Sequence, residues 1–239
     1  MGTLYINNDE TWNELKQRPK IPPIPTNVPG WDTLFGGIRQ GSVYIICAER
    51  GTGKTSFLIA MAKQMTKLGN RTLYISIEQN IDQLLDYIPR LDNLDVFTME
   101  TMKDWDTIKE IAKNYDFIFY DYLGAISEFG ESSNMSEWQV LRKDSADLGE
   151  IAKIYNVGII TACQGKDGLN SINDSEIKHN ADFVSYAKGT IDKVAGAVYL
   201  IRRPNEKLYL KEFKNRYGAM NMMPQQIKID LGRKEFMAF

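Results

Sequence analysis

The chain has 239 residues, 43% apolar and 25% charged, which fits one sizeable globular domain or a domain with a small appendage and excludes disordered, collagen-like and disulfide-stapled chains. With 29 Lys and Arg against 31 Asp and Glu the net charge is −2, so no overall positive field advertises nucleic acid and any such surface must be local. The one histidine, His179, excludes multi-histidine zinc sites and leaves a Ser/His/Asp triad a single possible base.

Residues Asn7 to Arg18 read as a short helix with Asn7 as N-cap, Glu10 at the reciprocal capping position, and Trp12 and Leu15 on one face. Pro19 stops it. The stretch Pro19 to Pro29 holds five of the eight prolines and reads as an extended linker into the main domain. From Val43 onward, short β-rich runs alternate with amphipathic helical segments, the pattern of a parallel sheet covered by helices. Strands are expected at Val43 to Cys47, Thr72 to Ile77, Phe117 to Tyr120 and Val157 to Ala162. Ile108, Ile111, Ala112 and Tyr115 share one helical face, as do Trp138, Leu141, Leu148, Ile151, Ala152 and Tyr155. Past residue 190, Ala195 to Arg202, Leu208 to Lys214 and Ile227 to Asp230 follow without helical segments, so antiparallel strands extend the sheet. The fold class is α/β, a mostly parallel central sheet flanked by helices with antiparallel C-terminal strands.

Cys47 and Cys163 each end an apolar run and are expected as buried, reduced thiols of an intracellular protein. Met1 to Glu10 lacks a charged segment followed by an apolar one. No apolar run approaches the roughly 18 residues that span a bilayer, so the expectation is a soluble, cytoplasmic protein without a membrane partner.

The segment Ala48, Glu49, Arg50, Gly51, Thr52, Gly53, Lys54, Thr55, Ser56 follows an expected strand and opens an expected helix, the setting of a nucleotide-binding P-loop. Gly51 and Gly53 let amides curl around phosphate oxygens, Lys54 reaches the β and γ phosphates, and Thr55 offers its hydroxyl to Mg²⁺. Ala48 stands where the strict pattern has glycine. Asp121 ends the run FIFYD, where a carboxylate can hold the Mg²⁺ water shell from the other side or serve only a turn. Glu78 ends YISIE and either orients and deprotonates water as a base or is a solvated or N-capping carboxylate before the helix expected at Ile81 to Tyr87. Gln164 ends GIITACQ, in position to sense a γ-phosphate. Lys214 and Arg216, two apart on an expected strand, project to one face and can approach one phosphate together; a solvated basic turn is the alternative.

In order, IPTNVPGWDTLFGGIRQGSVYII, the P-loop, SIEQ, FYDYLG, TACQGK and KNRYG resemble the DnaB-type replicative helicases, hexameric ring motors built on a RecA-like ATPase core. The resemblance covers about residues 22 to 235. It implies residues 1–25 as a linker helix with a Pro-rich linker and residues 26–239 as the RecA-like ATPase domain. It implies ATP and Mg²⁺ as cofactors, with Glu78, Lys54 and Gln164 acting on one nucleotide while Lys214 and Arg216 reach the nucleotide of a neighbouring subunit. Single-stranded DNA, a homo-oligomer that is a hexamer, and primase or other replication proteins are the implied partners. Bacterial members carry an N-terminal collar domain, whereas only some twenty residues precede the core here. The layout resembles compact phage-type forms, and the Trp12 and Leu15 face docks on an adjacent subunit or on its own core.

Two polar stretches, Gly124 to Ser136 and Gly165 to Gly189, are long enough to be candidate DNA-facing loops. The second carries Lys166, Lys178 and Lys188 but also Asp167, Asp174, Glu176 and Asp182, so contact with DNA and simple solvation stay open. Two other readings also stand: a recombinase or mediator that forms filaments, and an ATP-gated loader without unwinding activity.

Overall fold

The computed structural model describes residues 21–101, 104–124, 137–173, 184, 191, 194–221 and 223–238. The expected helix at Asn7 to Arg18 and the bulk of both candidate DNA loops lie outside the described residues.

The element order is α1 (Pro29–Phe35), β1 (Val43–Ala48), α2 (Lys54–Lys67), β2 (Thr72–Ser76), α3 (Ile81–Leu85), β3 (Leu94–Thr98), α4 (Asp104–Ile111), β4 (Phe117–Asp121), α5 (Glu137–Tyr155), β5 (Gly158–Gln164), β6 (Gly196–Arg202), β7 (Leu208–Asn215), β8 (Gln225–Ile227), β9 (Ile229–Asp230) and β10 (Glu235–Phe236). Eight strands form one sheet in the order β3-β2-β4-β5-β1-β6-β7-β8. The first six in sequence run parallel, and β7 and β8 are antiparallel additions.

Strand β1 is central and wholly buried because its sequence, VYIICA, offers apolar groups to both faces. Val43, Ile45 and Cys47 enter one core with Trp105, Ile108, Leu148 and Ile151 of α4 and α5. Tyr44, Ile46 and Ala48 enter the other with Trp31 of α1 and Phe57, Leu58 and Met61 of α2. Burying each large apolar side chain contributes about 1.5–3 kcal/mol, so these two layers fix the strand against the helices on either side. Cys47 and Cys163 are register partners on β1 and β5, both buried and neither in a disulfide.

The expected strands are all present, and three features depart from the sequence reading. Strand β3 was not expected: its sequence LDVFT puts Asp95 on an edge position, and only Leu94 is fully buried. Helix α1 is not marked in the sequence reading, which ends the proline-rich stretch at Pro29; Pro29 is instead the first residue of the helix, and Gly36, at φ +70°, ends it in a left-handed cap. The run expected as one strand at Ile227 to Asp230 divides at Lys228: β8 ends on the main sheet and β9 pairs with β10.

The lead-in to β1 is bonded into the domain. Ile24 and Ile38 exchange backbone hydrogen bonds of 2.8 Å, and the Asp32 carboxylate accepts from the Thr26 amide and hydroxyl and from the Asn27 amide. Gly37 makes this crossing possible. Its φ is +124°, and a Cβ there would lie 2.2 Å from the Ile24 carbonyl oxygen. Gly37→Ala is therefore expected to destabilise the fold by more than about 2 kcal/mol, read as a lowered midpoint in thermal or urea unfolding.

Candidate nucleotide-binding site

Because β1, β2, β4 and β5 run parallel, their carboxyl ends lie along one edge of the sheet, and the sequence-expected groups collect there. The chain leaves β1 at Ala48, turns through Glu49 to Gly53 and enters α2 at Lys54. Gly51 and Gly53 have φ of +77° and +115°, the left-handed values this turn needs. Gly53 caps α2 without a side-chain bond, and the first turn carries no acidic residue. The helix thus presents bare amide donors and the positive end of its dipole to an anion.

The Lys54 amino group donates to the Ala48 carbonyl at 3.2 Å and to Gln164 Oε1 at 3.0 Å, so Lys54 and Gln164 meet across β1 and β5. Burial lowers the Lys54 pKa, opposed by the Cys163 thiol, Asp121, the Cys47 thiol and Glu78. Asp121 is 2% exposed, and its Oδ2 accepts from the Tyr74 hydroxyl at 2.7 Å. Burial raises the Asp121 pKa, while the Tyr74 and Thr55 hydroxyls pull it down, Glu78 raises it and Lys54 lowers it. Its Oδ1 is buried without a hydrogen-bond partner.

That orphaned carboxylate oxygen, with the Thr55 hydroxyl beside it, is the oxygen-only donor set a hard divalent cation takes. Thr55 and Asp121 would hold Mg²⁺, which supplies charge neutralisation to β and γ phosphate oxygens when bound. Among the described residues no cluster of three or more His, Cys, Asp or Glu could hold a metal ion by itself, so phosphate oxygens would complete the shell.

Glu78 is an exposed residue two positions beyond the end of β2, with its charge felt at Lys54, Asp121 and Tyr74. The cap of α3 is Asn80, in a reciprocal box with Gln83, which removes the capping alternative for Glu78. In the P-loop itself Ala48, Thr52 and Ser56 are buried and Arg50 is exposed. The Glu49 carboxylate is taken up by the Gly168 and Asn170 amides beyond β5.

Lys214 and Arg216 are not brought to this cluster. Strand β7 runs back along β6, pairing Lys214 with Ala197 and Asn215 with Gly196, and Gly196 lies beside Tyr44 of β1. The two basic residues therefore sit at the opposite edge of the sheet. Lys214 stands level with Ile45 and Arg216 level with Val43, three and five residues short of Ala48, so at about 3.3 Å per residue they lie roughly 10 Å and roughly 17 Å from it along the strand. The Lys214 amino group donates to the Ile191 carbonyl. Arg216 lies one residue past β7, its amide bonded to the Ala195 carbonyl at 2.8 Å and its side chain exposed. The expectation of both on one strand face stops at Asn215. Of the second loop's charged residues, Lys166 and Asp167 are exposed, whereas Lys178, Lys188, Asp174, Glu176 and Asp182 lie outside the described residues.

Four supporting residues escape the sequence reading. Tyr74 holds Asp121, a role visible only once β2 and β4 pair. Asn170 and Arg202 brace the P-loop from β5 and β6. On the far side of β4, Asp144 of α5 accepts from the Gly124 amide at 3.3 Å, three residues beyond Asp121.

The fold is that of RecA-like P-loop ATPases. The chain superposes on a solved ATPase domain with a TM-score of 0.74, covering 96% of each chain at 14% identity. A DnaB-like replicative helicase, solved in work on its interactions with primase, also gives 0.74, with 95% of this chain, 66% of that one and 14% identity. A family model described as "ATPase: KaiC" matches residues 24–113. In sequence, the chain is similar to the DNA repair protein RadA of Listeria monocytogenes, 27% identical over 84% of this chain, and to that of Campylobacter jejuni, 25% identical over 79%. It spans 42% and 40% of those relatives' lengths. Among the described residues no helix is long and apolar enough to cross a membrane.

The Asp144 carboxyl carries a pH signature. Burial pushes its pKa up to about 7, with the Gly124 amide and Lys143 lowering it and Asp147 raising it. The unfolded value is about 4, so the folded state holds the extra proton between those limits. The stability this contributes is complete below about pH 4 and is lost as pH rises through about 7. Asp144→Asn keeps an acceptor for Gly124 and should flatten the melting-temperature profile between pH 5 and 8, with a gain of roughly 1–3 kcal/mol at pH 8.

Proposed function

We propose that the chain is a Mg²⁺-dependent ATPase that assembles as a ring, a hexamer, and couples hydrolysis at subunit interfaces to movement on single-stranded DNA. The observation that carries this reading is the division of the site residues between two edges of one sheet. Lys54, Thr55, Asp121, Gln164 and Glu78 gather at the carboxyl edge, while Lys214 and Arg216 stand at the other, out of reach of the same nucleotide. An exposed arginine at that edge is placed to serve a site on another copy rather than the one on its own chain, which supports the trans-acting reading over a merely solvated basic turn.

Each role follows from chemistry. The amides of Gly51 to Thr55 and the Lys54 ammonium stabilise charge that grows on the transferring phosphoryl group. Glu78, solvent-facing at the rim, orients and deprotonates the attacking water. Gln164, already bonded to Lys54, relays the presence of the γ-phosphate to the segment beyond β5. Arg216, with Lys214, neutralises transition-state charge across the seam. Primase or other replication proteins would be partners of the assembled ring in the cytoplasm of the cell, or of the host if the source is a phage. The structural likeness to a DnaB-like replicative helicase that interacts with primase supports this reading.

A second reading, a recombinase or mediator that forms filaments on DNA, is favoured by the likeness to the RadA DNA repair proteins. Negative-stain images with nucleotide and DNA separate closed rings from open filaments. Strand displacement on forked DNA separates either motor from an ATPase that loads without unwinding.

Lys54→Ala and Arg216→Ala are each expected to lower DNA-stimulated phosphate release by about 10³-fold or more. Mixing the two inactive variants should return part of the activity, because one supplies an intact P-loop and the other an intact finger. Wild-type turnover by Arg216→Ala would remove the shared-site assignment.

A further inference from the structure

The P-loop is held from behind by one residue that the sequence does not mark. Asn170 sits in the short 3₁₀ turn Leu169–Ser171, a few residues beyond Gln164. All four of its polar groups are used, and they join three separate parts of the chain. Its amide donates to Glu49 Oε2 at 3.1 Å, and its side-chain Nδ2 donates to Thr52 Oγ1 at 2.9 Å. Its Oδ1 accepts from the Arg202 amide at 2.8 Å, and its carbonyl accepts from Arg203 Nη1 at 3.0 Å. Arg202 closes the bracket from the other side, donating from Nη2 to the Thr52 carbonyl at 3.2 Å.

Thr52 is the residue that needs holding. It lies between Gly51 and Gly53, both in left-handed conformations, and glycines lose more conformational freedom on ordering than any other residue. A Gly-Thr-Gly turn left to itself samples many shapes, and a nucleotide would have to select one of them at the expense of affinity. Here the middle residue is buried and held at both its hydroxyl and its carbonyl. Its own amide donates to the Glu49 carbonyl at 3.2 Å, and the Glu49 side chain is taken up by the Gly168 and Asn170 amides.

We propose that Asn170 is a positioning residue for nucleotide binding, which keeps the turn Glu49 to Gly53 in its phosphate-receiving curvature before any ligand arrives. Asn170 does not touch the phosphates; it acts through Thr52 and Glu49. Because the same residue is bonded to Arg202 and Arg203 at the end of β6, the P-loop and that strand end are held in one hydrogen-bonded frame.

The proposal rests on the P-loop being a nucleotide site, and a wild-type protein that binds no MgADP would sink that reading instead. The test is a double-mutant cycle of Asn170→Ala and Thr52→Val, with MgADP affinity measured by fluorescence of a labelled analogue. Steady-state ATPase and melting temperature without nucleotide accompany it. Thr52→Val should weaken MgADP binding about fivefold and Asn170→Ala at least as much, and the pair should be weakened about as much as Asn170→Ala alone, since the bond that Thr52→Val removes is one of the two side-chain bonds that Asn170→Ala removes. KM for ATP should rise by a similar factor while kcat changes less than about twofold, the pattern of lost uniform binding. Unchanged affinity in Asn170→Ala overturns the proposal, as do single effects that simply add in the pair. So does a lowered melting temperature with affinity and KM intact, which would make Asn170 a purely structural residue. If Asn170→Ala fails to fold, Thr52→Val alone decides, since it is nearly isosteric and its hydroxyl has Asn170 as partner.

Discussion

The structure depends on one constraint, the parallel course of β1 through the middle of the sheet. A parallel strand must be covered on both faces, and VYIICA supplies an apolar residue at every position to meet that demand. Being central, β1 delivers its following turn to the point where β5 on one side and β6 on the other end at the same edge. The turn between Ala48 and Lys54 is thereby hemmed by Gln164 from β5 and by Arg202 from β6. The chemistry of the site follows from strand order before any side chain is considered.

Electrostatics within that edge is a balance among groups that would each be unfavourable alone. Asp121 is a buried carboxylate with one oxygen satisfied by Tyr74 and one oxygen bare, and burial drives it toward its neutral form. Lys54 is partly buried and burial drives it toward its own neutral form, opposed by Cys163, Asp121, Cys47 and Glu78. Each opposes the other's discharge. A phosphate group with its cation, as proposed above, would offer an anion to the lysine and a cation to the aspartate. The bare oxygen of Asp121 is the structural sign that the balance is not closed by protein groups alone.

The chemistry-bearing strand ends were legible because each combines a β-rich apolar run with a polar residue where the run stops: Ala48 into the P-loop, Asp121 after FIFY, Gln164 after GIITAC. Strand β3 was not legible, since an edge strand has one paired side and LDVFT carries a charge within five residues. Helix α1 begins where the proline-rich stretch ends. Pro29 reads equally as the end of a linker and as the favoured first residue of a helix, and seven residues give little periodicity to separate the two. The helper residues were illegible for another reason. Tyr74, Asp144, Asn170 and Arg202 act across 47, 20, 118 and 150 positions of sequence, and such pairings exist only once strand order is known.

The antiparallel return of β7 carries a consequence that a fully parallel sheet would not. Had β7 followed β6 in parallel, Asn215 and Arg216 would emerge at the carboxyl edge with Lys54, and one protomer could assemble donor and acceptor halves of a site unaided. The hairpin instead sends them to the opposite edge, where Tyr217 shares a 2.8 Å hydrogen bond with Ser42 and lies under the Arg39 guanidinium at 4.7 Å. The Asn215 side chain ties the same loop to the Leu34 carbonyl at 3.2 Å. Arg216 is therefore presented from a braced loop, so little conformational entropy of the backbone has to be lost when it meets an anion. The antiparallel return thus leaves the exposed Arg216 apart from the turn between β1 and α2 of its own chain, and the assembly proposed above would use it on a phosphate held by another copy.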